Sequence, residues 1–279
     1  MHFDFHFSAI QILWTLTFAA QLVLLVVLLG RDRARRFPWF TIGIVLMALR
    51  LLASRLLLGR MPTITLDAIF VILADVAAVV GFLIVVEIAR RAFGGVRRKT
   101  WLAFALTMLI IGGAILYAWG RPWPAWKTLT ADSMISDLRL MQMAAQRLDM
   151  LVDLLTVELG LLVILFGRRT GAGWRTHTQR IAIGLSTASC AQLAVGEIWQ
   201  LIARHAVPHS QAEYDRIVGL REKLFNANGA LYIAVLIWWI VVLWMDEPGA
   251  APGAEHASAT SPQPEYVSSA DEEPGQPHD

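Results

Sequence analysis

The sequence predicts an all-α membrane protein: a polytopic bundle of seven transmembrane helices, N-terminus out and C-terminus in, with helices five and seven extended beyond the outer membrane face. Three observations carry this expectation. Hydrophobic residues make up 56% of the 279 and charged residues 16%, with a mean hydropathy of +0.54, a composition outside the soluble range. Apolar runs of the ~20 residues that a roughly 30 Å hydrocarbon core requires recur along the chain. The three short loops that would join them on one side hold 13 Lys and Arg, the asymmetry that keeps a loop cytoplasmic.

The first span, about residues 8–29, follows a stretch from Met1 to Phe7 without Lys or Arg. It is too long for a signal-peptide core and is expected to persist as a helix. Arg31, Arg33, Arg35 and Arg36 then form a stop-transfer cluster. The second span, 38–58, opens at Pro38, whose fixed φ suits a first turn. Met61 to Thr65 turns the chain into the third span, 66–89, which runs into a second basic loop with Arg90, Arg91, Arg97, Arg98 and Lys99.

The fourth span, 101–119, has no ionisable side chain except Tyr117, so it is free to face lipid and is the least suited to line a site. Trp123 and Trp126, in a loop with Pro122 and Pro124, are expected at the headgroup level. The fifth helix runs from about Asp132 to Arg169 and spans the membrane over 147–166. Met134, Leu138, Met141, Ala145, Leu148, Val152, Leu155, Leu159, Leu162 and Phe166 mark its apolar seam at steps of four and three. Beside the seam runs a polar stripe of Arg139, Gln142, Gln146, Asp149, Asp153 and Thr156, continued by Gly160. At about 1.5 Å per residue the helix reaches roughly 50 Å, more than a bilayer needs.

A third basic loop with Arg168, Arg169, Arg175 and Arg180 leads to the sixth span, 181–203. Ser210 with Glu213 three residues on reads as a capping box, so the seventh helix also begins before its span, 225–245. Residues 1–245 thus form the membrane domain. The tail 246–279 has six prolines, eight acidic residues and no Lys or Arg, too little apolar surface to offset chain entropy. It is expected to be a disordered, acidic, proline-rich cytoplasmic segment able to dock a protein partner or to lie across the basic loops.

An ionisable side chain inside a bilayer must face the bundle interior and find a partner. Depth counting places Arg50 and Asp75 at matching levels of the second and third spans, a candidate intramembrane ion pair, with Arg55 and Asp67 matched nearer the turn. Glu87 has Arg90 and Arg91 within one turn. Asp149 and Asp153 share a face and repel, so they require cations, water or a raised pKa; Arg139, Arg216, Arg221 and Lys223 are available cations. Glu158 lies about 140° round the helix from Asp153 and needs another neighbour. The sixth span adds Ser186, Ser189, Gln192, Glu197 and Gln200. Asp149, Asp153, Glu197, Gln200, Arg139 and Gln146 therefore form a candidate outward-facing polar vestibule. His2, Asp4, His6, His205 and His209 hold imidazole and carboxylate ligands of the type zinc or nickel accepts, but an aromatic interfacial anchor explains the N-terminal run better. No cofactor is expected.

Several functions are excluded by what is missing. Lys99, Lys127 and Lys223 all lie outside the spans, so a retinal Schiff base has no site. Gly184-Leu185-Ser186-Thr187 lacks the second glycine of a serine-nucleophile motif, and no span offers a base histidine. Neither HExxH nor a phosphate-binding loop occurs. The lone Cys190 permits no internal disulfide and suits packing. The sequence thus favours a non-enzymatic sensor or binding module. By architecture alone it looks like the seven-helix sensor segments found before bacterial kinase domains. Alternatives are a small-solute or proton-coupled transporter made of two three-helix repeats joined by the fourth helix, and a scaffold without a small-molecule ligand. Expected partners are the lipid bilayer, a small molecule on the outer side and a cytoplasmic protein, not nucleic acid. The ratio of 21 Arg to 3 Lys agrees with a bacterial inner membrane.

Overall fold

The computed structural model describes residues 9–93, 98–119, 134–166, 176–206 and 210–246. They fold into eight helices: α1 Ala9–Gly30, α2 Arg33–Arg36, α3 Pro38–Leu57, α4 Thr63–Ala92, α5 Arg98–Trp119, α6 Met134–Phe166, α7 His177–His205 and α8 Gln211–Trp244. The chain divides between Met245 and Asp246 into two units, and every helix belongs to the first. The loop 120–131 with its tryptophans, most of the second and third basic loops, and nearly all of the acidic tail lie outside the described residues.

Local signals act where the sequence places them. Pro38 opens α3, and Ser210 caps α8 by accepting a hydrogen bond from the Glu213 N–H at 3.3 Å. The first basic loop contains the single turn α2. Residue Glu87 does more than pair locally. It forms an ion pair with Arg91 at 3.6 Å, and its Oε2 accepts the Phe40 N–H at 3.1 Å. A carboxylate on α4 thereby satisfies one of the free amides at the start of α3, where opposite charge is also favourable.

Five of the helices, α1, α3, α4, α7 and α8, are long and apolar enough to cross a bilayer, compatible with a multi-pass membrane protein. In α5 the apolar stretch is shorter, Leu102–Ala118. Helix α6 is absent from the five among the described residues, and the reason lies in its own composition: its final stretch from Asp149 to Phe166 carries Asp149, Asp153 and Glu158. Val26, Leu29 and Leu165 are each about two-thirds exposed (67%, 66% and 68%). Apolar surface of that extent is compatible with contact to lipid rather than water.

Helices α1, α3, α4, α6, α7 and α8 pack in that order, and α8 returns to α1, closing a six-helix ring. Helix α4 also touches α7 across it, while α5 lies outside the ring and packs chiefly on α6. Buried residues concentrate where α1 ends and α3 begins, here called the Phe37 end: Leu24 and Leu28, Phe37 and Phe40, Ile84 and Ile88, Ile181, Leu236 and Trp239. The opposite end, at the Gly59 turn, is far less filled.

Candidate functional site

Two adjoining cavities lie in the bundle, one at the less filled end and one reaching from there to Phe40 and Trp239. A vestibule of about 580 Å³ lies between α3, α4 and α6, with Arg50, Asp67, Arg139, Gln142, Gln146 and Asp149 as its polar wall. A central chamber of about 710 Å³ receives side chains from all six ring helices. Arg50, Phe70 and Asp149 belong to both walls, so the two cavities adjoin at these three residues.

The stripe on α6 explains how the site is built. Its first part, Arg139 to Asp149, faces the vestibule, and Asp149 with Asp153 faces the chamber. Beyond them the same face closes. The Ser186 hydroxyl lies 2.7 Å from the Thr156 carbonyl and 2.8 Å from the Ala182 carbonyl. A Cβ at Gly160 would collide with the Ser186 side chain. One helical face thus passes from charged, to acidic, to small, and the helix spacing narrows accordingly.

Arg50 is the cation whose charge acts on Asp149, and Asp149 in turn acts on Asp153, which is hydrogen-bonded to the Ser189 side chain. Further round the chamber, Asn228 donates to Gln192 Oε1 at 2.8 Å, Gln21 Nε2 donates to the Tyr232 hydroxyl at 3.5 Å, and that hydroxyl lies 3.0 Å from Met47 Sδ. Gln21 is 1% exposed, and its Oε1 has no hydrogen-bond partner among the described residues. At the Phe37 end an aromatic floor closes the chamber: Phe40 meets Trp239 edge to face at 5.1 Å, and the Trp239 indole lies against Gly184, where a Cβ has no room.

The structure brings Arg139, Gln146, Asp149, Asp153 and Arg50 to these walls. Asp75 lies on neither wall, and no ion pair joins it to Arg50 among the described residues. Arg55 stacks over Trp14 at 5.0 Å, while Asp67 lines the vestibule. Arg221 lies over Trp199 and Phe225 at 5.3 and 5.6 Å. Glu197 and Gln200 line neither cavity. Glu158 faces Gly112 of α5, and neither of its buried oxygens has a partner among the described residues. Of the metal set only His205 is described, its Nδ1 2.9 Å from the Leu201 carbonyl; His2, Asp4, His6 and His209 lie outside. No group of three or more His, Cys, Asp or Glu able to hold a metal occurs among the described residues.

Sequence reasoning missed Gln21 and Tyr232. The signal for Gln21 was present: it is the one amide in the interior of an otherwise apolar run from Phe18 to Gly30. An amide in lipid is as much in need of a partner as a charge is of burial. No family model, curated protein or solved structure matches this chain, so the functional reading rests on this geometry.

Proposed function

We propose that the protein is a non-enzymatic sensor or binding module of a bacterial inner membrane that admits a small molecule from outside through the vestibule into the central chamber. The observation that carries this reading is the sharing of Arg50, Phe70 and Asp149 by both cavities. Concave sites with a mostly apolar wall and a few convergent polar groups are where small molecules bind. In the same reading the chain crosses the membrane seven times, with α5 and the second half of α6 joining the five long apolar helices. Its N-terminus is outside and its acidic tail is in the cytoplasm, free to contact a protein partner.

Two measurements test the reading. Reporter fusions after Arg36, Lys99 and Arg169 should all read cytoplasmic, and a periplasmic reading at any of them would overturn the topology. Native mass spectrometry of protein released from detergent should show a co-purified small molecule. That molecule should be missing from Ala188→Trp, which fills the chamber wall; identical spectra would overturn the binding role.

One observation favours transport as a second reading. Helices α1, α3 and α4 and helices α6, α7 and α8 form two consecutive ring segments joined by α5, the arrangement expected of paired three-helix repeats around a central site. Saturable uptake of the co-purified molecule into proteoliposomes would decide for the carrier; binding without uptake would decide for the sensor.

A further inference from the structure

We infer that the central chamber selects a small organic monocation, an ammonium group carried on an apolar or aromatic body. The inference rests on the binding role proposed above and adds the chemical class of the ligand.

Charge is the first argument. Arg50 is the one cationic side chain on the chamber wall among the described residues, against the two carboxylates of Asp149 and Asp153. Arg50 acts on Asp149, whereas Asp153, deeper on the stripe, has the neutral Ser189 as its hydrogen-bond partner. A carboxylate without a matching cation attracts one, and more strongly where neighbouring side chains partly exclude water.

Hydrogen-bond polarity points the same way. Gln21 is almost fully buried, lines the same chamber and leaves a carbonyl oxygen unpartnered. A buried acceptor without a donor costs about 1–3 kcal/mol, and Gln21 Oε1 together with Asp153 asks for a ligand that donates. An ammonium has N–H donors and no acceptor. A carboxylate or phosphate ligand would meet two acceptors and like charge.

The remaining wall fixes the rest of the ligand. Phe40, Phe70, Phe225, Tyr232 and Trp239 line the chamber, and aromatic faces attract cations and cover apolar groups. A chamber of about 710 Å³ is far larger than a bare metal ion needs, and its wall offers few oxygen ligands relative to carbon. Inorganic cations prefer the reverse.

Full-length protein in lipid nanodiscs, titrated calorimetrically with three probes of one shape, tests the inference, with empty discs subtracted. The probes are phenethylammonium, neutral 2-phenylethanol and anionic 3-phenylpropanoate. Phenethylammonium should bind about tenfold more tightly than the alcohol, and the anion most weakly. Asp153→Asn should abolish the preference for the cation over the alcohol, and Gln21→Leu should weaken the cation about threefold. Should Asp153→Asn fail to fold, Gln21→Leu and Ser189→Ala carry the test alone. Equal or tighter binding of the alcohol or the anion overturns the cation class and leaves the binding role standing. Unchanged cation affinity in the folded variants does the same. Silence from all three probes overturns the inference, and the co-purified molecule then decides whether the binding role falls with it.

Discussion

The six ring helices bury side chains at one end and hold them apart at the other. Toward the Phe37 end, α3 buries Phe40, Gly43, Ile44 and Ala48, α7 buries residues from His177 to Gly184, and α8 buries Val235 to Leu243. Toward the Gly59 end the same helices bury nothing, and only α6 keeps Ser136 and Ala145 covered. Helix pairs in lipid gain little from expelling water, so association depends on close packing and on polar contacts between helices. The filled half uses the first, through Gly160, Gly184 and an interlocked aromatic pair. The open half uses the second, through side chains long enough to prop helices apart while bonding across the gap. In the proposed reading, such a bundle carries its stability in one half and its ligand binding in the other.

That division can be broken most directly at Trp239. Trp239→Ala removes a side chain that is 1% exposed and should cost about 3 kcal/mol, near the lower bound for aromatic truncation because part of the transfer free energy vanishes in lipid. Reversible unfolding in mixed micelles measures it; a loss below about 1 kcal/mol would mean the aromatic floor is not the anchor. Next in size, Gly160→Leu forces α6 and α7 apart at Ser186 and should cost about 2 kcal/mol. The same variant should widen the central chamber beside Leu185 and Ser189, giving weaker probe binding in the same titrations. Smallest in stability and largest in function is the double change Asp149→Leu with Asp153→Leu. It should leave the unfolding midpoint within about 1 kcal/mol of the parent, and membrane insertion intact, while abolishing the response to any outer ligand. If the double variant instead unfolds as readily as Trp239→Ala, the carboxylates are struts and the two halves are not separate in role.

Much of this division was legible in sequence, because periodicity and end signals are local. The continuous α6, the start of α3 at Pro38, the Ser210 cap and the apolar stretch of α5 could all be read from spacing and composition. The polar stripe was legible as a stripe. Its partners were not, since counting residues fixes the depth of a side chain but not the direction in which its helix turns it. Arg50 and Asp75 share a level, but Arg50 faces α6 across the opening and Asp75 does not reach it. The same limit hid the chamber itself: its wall draws one or two turns from each of six helices, and only the closure of α8 on α1 puts Gln21 beside Tyr232. Glu87 shows the opposite case, a residue whose sequence neighbour Arg91 was its partner but whose second role, holding the first amides of α3, depended on a helix 47 positions away.

Helix α5 has little to do with packing the ring, but it decides the parity of everything after it. Helices α4 and α6 are ring neighbours that run in the same direction, as are α8 and α1, and the α4–α6 alignment exists because α5 carries the chain back outside the ring. Without that return stroke α6 would enter from the opposite face. The Arg139 end of the stripe would then lie at the Phe37 end and Gly160 toward the Gly59 turn, the reverse of the observed order. The helix outside the ring is in this sense a sign bit: it sets which end of the bundle the charged part of the stripe occupies.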